Sequence, residues 1–409
     1  MSETPRIDGS RLTERLMQLG KAGALPGGGV CRLALTDADK AGRDQVVAWM
    51  RQLGLEVTID RIGNGIGVRK GREDGPPVMM GSHIDTVRTG GLYDGNLGVL
   101  GGLEVLAALD DARVTTRRPL AVAFFTNEEG ARFQPDMMGS LVYTGALPLE
   151  RALATRAIDG PTAGDELARI GYAGVAAVAM PRAHAYVELH VEQGPVLDAE
   201  GVKIGAVESV QGISWTELTI TGQSNHAGTT PMRLRHDAGY VAAEITVHAR
   251  QVARELGGHQ VSTVGMLNQA PNLVNVVANR VVMTVDLRNT DEARLQEAER
   301  RVLGHAEEVA RAEGVGLSRR SLARFEPVAF DPRLVGRVEA IARELGLSVK
   351  RLPSGAGHDA QMLAAVCPAC MIFVPSRCGI SHNVEEYTAP EDLAAGASVL
   401  LRLVTELAA

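Results

Sequence analysis

The 409-residue chain carries 49 acidic against 42 basic side chains, a formal net charge of −7 with no basic tract, which argues against sequence-independent nucleic-acid binding. Apolar residues make up 45% and charged residues 22%, enough for two or three cored domains, whereas aromatics at 3% are too few for single-strand stacking platforms. No apolar run approaches the ~20 residues of a membrane span. The start, Met1-Ser-Glu-Thr-Pro5, has no charged-then-apolar leader pattern, and four cysteines make no disulfide framework, so a cytoplasmic protein is expected.

In chain order, Thr36-Asp37 is a capping pair that predicts a helix running to about Gly54. Val78-Met-Met80 reads as a buried strand entering the polar cluster Gly81-Ser-His-Ile-Asp85. Leu97, Leu100, Leu103 and Leu106 recur every three residues, a buried helical stripe. Leu120 to Phe125 is continuously apolar, as a strand covered on both faces must be, and ends in Thr126-Asn-Glu-Glu129. Strand, helix, strand predicts an α/β sheet with parallel connections, whose chemistry lies beyond the carboxyl ends of its strands. The pattern changes near residue 210. Trp215, Glu217 and Thr219 alternate with Thr216, Leu218 and Ile220; Val281, Met283, Val285 and Leu287 alternate with Thr284, Asp286 and Arg288. Both runs describe a sheet apolar on one face only. With predicted helices over 233–256 and 291–313, residues 210–325 form an inserted αβ unit. Residues 326–409 return to helix, buried strand (Met371 to Val374) and polar loop, completing the first domain.

Five segments offer metal ligands: His83 with Asp85, Asp94, Glu128 with Glu129, His190, and His382. Imidazole with carboxylate suits zinc or another divalent first-row ion. On extended chain, residues two apart point the same way, so the Asp85 carboxylate is expected at the far ring nitrogen of His83, fixing its tautomer. Asp94, in a turn before a helix, has two oxygens and can bridge two ions. Adjacent Glu128 and Glu129 diverge at a strand end, so one can ligate while the other accepts a proton from water. Four converging negative charges would force several pKa values upward, which two divalent cations would relieve. Each feature has a plainer reading. A lone histidine is usually just hydrogen-bonded, an Asp before Gly is usually a turn residue, and Glu-Glu is usually a solvated rim. Five of them at strand ends and adjacent loops outweigh those readings together. His184, His236, His259 and His305 lack that context and read as structural or surface residues. Cys367-Pro-Ala-Cys370 has no second pair to make a zinc ribbon and reads as packing.

Eight stretches run in order through nearly the whole chain: Gly81-Ser-His-Ile-Asp-Thr-Val87, Gly90-Gly-Leu-Tyr-Asp-Gly95, Phe125-Thr-Asn-Glu-Glu-Gly-Ala-Arg-Phe133, Glu188-Leu-His-Val-Glu-Gln-Gly194, Ser224-Asn-His-Ala-Gly-Thr-Thr-Pro231, Pro271-Asn-Leu-Val-Asn-Val276, Gly355-Ala-Gly-His-Asp359 and Gly379-Ile-Ser-His382. Together they resemble the dinuclear-metal aminoacylase and carboxypeptidase superfamily, and within it the amidase/hydantoinase/carbamoylase branch. The resemblance implies a metallopeptidase-like catalytic domain with a mixed central sheet flanked by helices (residues 1–209 plus 326–409). A smaller α+β lid and dimerisation domain (210–325) interrupts it. It implies two divalent ions, zinc or manganese, cobalt or nickel. His83 and His190 would hold one, Glu129 and His382 the other, and Asp94 would bridge them. Asp85 would orient His83, and Glu128 would be the general base. His190 favours the carbamoylase branch, since carboxypeptidase-like relatives commonly place a carboxylate there. For the substrate, the resemblance implies Gln193, Asn275, Gly357 and His358 in the pocket, with Asp359 beside them. His226 would polarise the scissile carbonyl from a partner subunit. Arg288 would clamp a carboxylate, although on its own Arg288 reads more readily as a surface ion pair with Asp286 or a neighbour. The implied reaction is hydrolysis of N-carbamoyl-L-amino acids by a homodimer without nucleic-acid or membrane partners. Allantoate hydrolysis, a dipeptidase or aminoacylase activity, and a non-catalytic metal-dependent binding role are the alternatives.

Overall fold

The computed structural model describes residues 4–409, so the leader reading at Met1–Glu3 lies partly outside the described residues. The chain divides into two compact units: the residues up to Glu208 together with Ala329–Ala409, and Ser209–Val328. The first unit opens with strands β1 (Glu56–Ile59), β2 (Gly65–Arg69), β3 (Val78–His83), β4 (Leu120–Phe125), β5 (Ala185–Val191) and β6 (Ile204–Val210). The second contains β7 (Gly212–Thr221), β8 (Val261–Ala270), β9 (Arg280–Asn289) and β10 (Gly316–Phe325). The chain then returns through β11 (Val328–Ala329), β12 (Val349–Ser354) and β13 (Ala369–Val374).

Among the described residues the large sheet runs β1-β2-β4-β3-β5-β13-β6-β11, with β12 also on β6. Its centre is parallel: β3 pairs with both β4 and β5, and β13 pairs with β5. The outer pairs β1–β2, β2–β4 and β13–β6 are antiparallel, so the sheet is mixed. Every residue of β3, β4, β5 and β13 is buried, which explains the continuous apolar stretches Val78–Met80, Leu120–Phe125 and Met371–Val374, whereas β5 carries Glu188 and His190 within its buried run. Parallel pairing brings their carboxyl ends to one edge, with His83 opposite Phe125 and His190 opposite Phe373.

The helix Asp37–Gln52 starts where its cap predicts, with the Thr36 side chain accepting from the backbone of Asp39. The helix Asn96–Asp111 differs from expectation: residues 96 to 109 are buried on every side, not along one stripe, as befits a helix inside a layered core. Leu97, Leu100, Leu103 and Leu106 are fully buried and contribute about 1.5–3 kcal/mol each.

The second unit has the antiparallel sheet β10-β7-β9-β8. One face, through Leu218, Ile220, Val281, Met283, Val285 and Leu287, packs on the helices Ala238–Leu256 and Glu292–Glu313. The predicted helical start at 233 is corrected. Met232–Leu234 is a single tight turn, and Asp237 caps the true helix by accepting from the N–H groups of Gly239 and Tyr240. Among the described residues, no helix is long and apolar enough to cross a membrane.

Candidate metal centre

The parallel strand ends and their loops assemble the site. His83 closes β3, and its Nε2 lies 3.3 Å from Glu128 Oε2 and 3.7 Å from Asp94 Oδ1. Its Nδ1 is 2.9 Å from the backbone carbonyl of Asp85. That corrects the expected pairing: the Asp85 carboxylate stays 4.0 Å away and accepts instead from the backbone N–H groups of Glu128 and Glu129. Asp85 thus orients His83 through its main chain and ties down the Glu128-Glu129 turn through its side chain. His190, on β5, directs Nδ1 to the carbonyl of Val191 at 2.8 Å and Nε2 to Asp94 Oδ1 at 3.3 Å. With Nδ1 engaged by a carbonyl, each ring turns its Nε2 toward Asp94, where a cation would take the lone pair; the Nε2 of His190 also lies 3.2 Å from the Gly95 N–H. Gly95 sits at φ +66°, and a Cβ there would fall 2.4 Å from His83 Nε2, so only glycine lets Asp94 approach both rings. His382, in the loop after β13, brings Nε2 to 3.4 Å from both Asp94 Oδ2 and Glu129 Oε2.

Two donor groups therefore share Asp94: His83, Asp94 and His190, and Asp94, Glu129 and His382, with the donor atoms of each group within 4.8 Å of one another. In a third grouping, Glu188 with His190 and His358, the protein itself engages Glu188 and one ring nitrogen of His358, while His358 Nδ1 has no hydrogen bond among the described residues. Glu188 accepts from Ser82 Oγ (2.6 Å) and from the backbone of Ala360 (2.8 Å), and His358 Nε2 bonds Ser354 Oγ (2.9 Å).

Electrostatics fit a cation-binding role. Burial pushes Glu128 and Glu129 well above the usual carboxylate range, reinforced by their acidic neighbours. Burial raises Asp85 to about 7 and lowers His83 to about 4. Burial also opposes ionisation of Asp94, but the hydrogen bonds of His190 and His382 outweigh it and hold this carboxylate well below its ordinary value. The same pairing outweighs burial at His190 and raises it to about 9. Several buried carboxyls around one anion cannot all ionise without positive charge among them, and imidazole nitrogens with carboxylate oxygens form a donor set suited to divalent first-row ions.

Residues 79–406 match the model for peptidase family M20/M25/M40. The chain belongs to this family. The M20 proteins are metal-dependent hydrolases, in keeping with the donor groups around Asp94. The chain is 43% identical to the N-carbamoyl-L-amino-acid amidohydrolase of Rhizobium meliloti, covering 99% of this chain and 98% of that protein. It is 40% identical to the N-carbamoyl-L-amino acid amidohydrolase of Geobacillus stearothermophilus, covering 98% and 99% respectively. The crystal structure of an amidase of the hydantoinase/carbamoylase family from Burkholderia multivorans superposes with a TM-score of 0.97 at 44% identity, covering 99% of each chain.

In this M20 protein the remaining expected residues fall into two groups. Gln193 lies at the centre, its Nε2 donating to Asp94 Oδ2 at 2.8 Å. His358 is buried with its ring 4.5 Å from that of His190, and Gly357 precedes it where a Cβ would meet Met137 Cε at 2.9 Å. Asp359 is fully buried, and burial followed by Glu188 pushes its carboxyl well up. His226, Asn275 and Arg288 belong to the second unit. His226 and Asn275 sit on adjacent segments: Ala227 N–H donates to the Asn275 carbonyl, and His226 bridges Val276. His226 Nδ1 accepts from the N–H groups of Gly228 (3.1 Å) and Thr229 (3.2 Å), which leaves its proton on Nε2. Arg288 forms the ion pair that was its plainer reading, with Nη2 2.9 Å from Asp286 Oδ2 and its guanidinium over the Trp215 ring.

Sequence reasoning missed two buried acids at the site, Glu188 and Glu386. Glu188 was within reach: it is two residues from His190 on one strand and so shares its face. Glu386 carries no local signal.

Proposed function

We propose that the protein hydrolyses the carbamoyl C–N bond of N-carbamoyl-L-amino acids, giving the L-amino acid, carbon dioxide and ammonia. The position of Glu128 carries the hydrolytic reading: its carboxyl borders the donor atoms, 3.3 Å from His83 Nε2, yet lies outside both Asp94 groups. A binding module has no need of such a base. The two full-length amidohydrolase relatives support the substrate class.

Two divalent ions, held by His83, His190 and Asp94 and by Asp94, Glu129 and His382, would polarise the ureido carbonyl and lower the pKa of water, so that its oxygen attacks as a proton leaves it. Glu128 takes the proton released by that water and returns it to the leaving nitrogen. The Nε2–H of His226 donates to the carbonyl oxygen as negative charge develops there. Arg288 receives the substrate carboxylate in a bidentate pair, for which Asp286 orients its fork and Trp215 its plane. Gln193 and Asn275 hydrogen-bond the substrate. His358 fixes the back of the pocket, where Gly357 leaves room.

Residues 1–209 with 326–409 serve as the catalytic domain and 210–325 as lid and dimerisation domain. In a homodimer, His226 and Asn275 serve the partner's site. The register supports this: Thr221 pairs with Arg280 and Ile213 with Arg288. His226 and Asn275 thus lie beyond one end of the sheet and Arg288 at the other, some eight residues along the strand, or roughly 26 Å at ~3.3 Å per residue. One small substrate cannot span that distance within a single chain. The edge strand β8 and its following loop expose Val261, Leu267, Leu273 and Val274, apolar area suited to burial against a second copy. All four cysteines are free, which supports a reducing, cytoplasmic setting.

The test is ammonia release by the purified, manganese-loaded protein from a panel of N-carbamoyl-L-amino acids, allantoate, 3-ureidopropionate and dipeptides. Highest kcat/KM on an N-carbamoyl-L-amino acid is expected. Preference for allantoate or a dipeptide, or no turnover of any substrate, overturns the proposal.

A further inference from the structure

The loop that carries His382 also carries a carboxylate with an unusual set of partners. Glu386 is buried, and its Oε1 accepts from the backbone N–H groups of Tyr93 (3.0 Å) and Asp94 (3.1 Å). Its Oε2 lies 3.3 Å from Ser381 Oγ, and the same hydroxyl lies 3.3 Å from Asp94 Oδ2. Gly91 makes this approach possible, since a Cβ there would fall 2.2 Å from Glu386 Oε1. Tyr387, next in the chain, packs edge-on against Tyr93 with ring centroids 6.3 Å apart.

The loop itself needs holding. His382 adopts φ +54°, a left-handed conformation that is strained for a residue with a side chain. Glu386 N–H donates to the Asn383 carbonyl (3.1 Å) and Glu385 N–H to Asn383 Oδ1 (2.9 Å), closing the turn. One side chain therefore grips the main chain under Asp94 with one oxygen, while its other oxygen reaches Ser381, the neighbour of His382. Asp94 has to present Oδ1 to His83 and His190 and Oδ2 to His382 at once. A pivot of its main chain would break one set while improving the other.

We propose that Glu386, acting with Ser381, is a positioning residue that fixes the orientation of Asp94, so that its two oxygens serve the two donor groups simultaneously. The inference rests on the reading of Asp94 as the shared ligand. Outer partners of metal ligands typically change metal affinity by about 10–100-fold when removed, and that is the effect expected here.

The experiment titrates metal-stripped full-length protein with manganese alone, by calorimetry, for the parent and for Glu386→Ala, Glu386→Gln, Ser381→Ala and Asp94→Asn. Glu386→Ala and Ser381→Ala are expected to weaken binding by about 10–100-fold. Glu386→Gln, which keeps an oxygen for the two N–H groups, should lose less. A purely structural role would lower the melting temperature and leave the dissociation constants in place. Dissociation constants within about twofold of the parent for both Glu386→Ala and Ser381→Ala overturn the inference. Should Glu386→Ala fail to fold, as judged by circular dichroism, Ser381→Ala alone decides in the same way. Asp94→Asn separates the two levels: parental binding by this variant overturns the shared-ligand reading itself. Lost binding there with parental binding in the other variants overturns only the role of Glu386.

Discussion

Exchanging Glu128 for glutamine keeps the length of the side chain and removes both its basicity and its charge, and the two losses act on different observables. Turnover falls because no group remains to take a proton from water and return it. That transfer is worth about 10²–10⁴-fold, or about 3–5 kcal/mol of barrier. Stability of the metal-stripped protein moves the other way. Ionisation of Glu128 is opposed first by burial and then by Asp359, Glu129, Asp94 and Asp85, so its folded-state pKa lies well above the ordinary 4.5. A carboxyl raised in this way contributes its full stability below the unfolded pKa and loses it as pH rises through the folded one. Glutamine carries no charge to oppose. The metal-stripped Glu128→Gln protein should therefore melt at or above the metal-stripped parent at pH 8, with the difference closing toward pH 5. The assays are ammonia release from an N-carbamoyl-L-amino acid at saturating manganese, metal content by mass spectrometry, and calorimetric melting at both pH values. Activity within tenfold of the parent at full metal content would refute the assignment of Glu128 as the base. A metal-stripped variant that melts well below its parent at pH 8 would refute the electrostatic account of the cluster.

Arg288→Ala should lower kcat/KM at least tenfold for a carboxylate substrate, because hydrogen bonds between charged groups contribute about 1.5–3 kcal/mol each. A neutral amide analogue should lose far less, and equal losses on both would make Arg288 purely structural. Mixing His226→Ala with Glu128→Gln protein should restore activity as subunits exchange, since one site of each mixed dimer is then intact; proven exchange without recovery places His226 in its own chain's site. In the first unit, burial pushes Asp60 up to about 6 despite its bonds from the Asn64 side chain and the N–H groups of Ile62 and Asn64. Its share of stability is complete below about pH 4 and is lost as pH rises through about 6. Denaturant unfolding at pH 4 and pH 7 should show that pH dependence shrinking in Asp60→Asn, by about 3 kcal/mol at most, and an unchanged difference would mean that Asp60 titrates normally.

The chain's own order of residues determines a good deal here. Buried parallel strands are written as uninterrupted apolar runs because both faces are covered, so Val78–Met80 and Leu120–Phe125 are legible without a structure. Where such a run stops, the next polar residues must lie at the sheet's carboxyl edge, which is why His83 and Glu128-Glu129 stand out as site residues. The cap at Thr36 and the alternation over 281–289 are equally local. Edge strands β8 and β10 are not legible, because mostly exposed strands keep no apolar period. What tertiary structure decided is which of several chemically equal partners each group takes. His83 Nδ1 meets the main chain of Asp85 rather than its carboxylate, because the turn after β3 spends that carboxylate on the N–H groups of Glu128 and Glu129. Arg288 pairs with Asp286 two positions along the same strand, on the shared polar face. Glu386 reaches Tyr93 and Asp94 from nearly three hundred residues away in sequence, a contact created when β13 pairs beside β5. Periodicity reports which face a residue occupies. It carries no information on the long-range closure that brings two faces together, and the orientation of Asp94 depends on that closure.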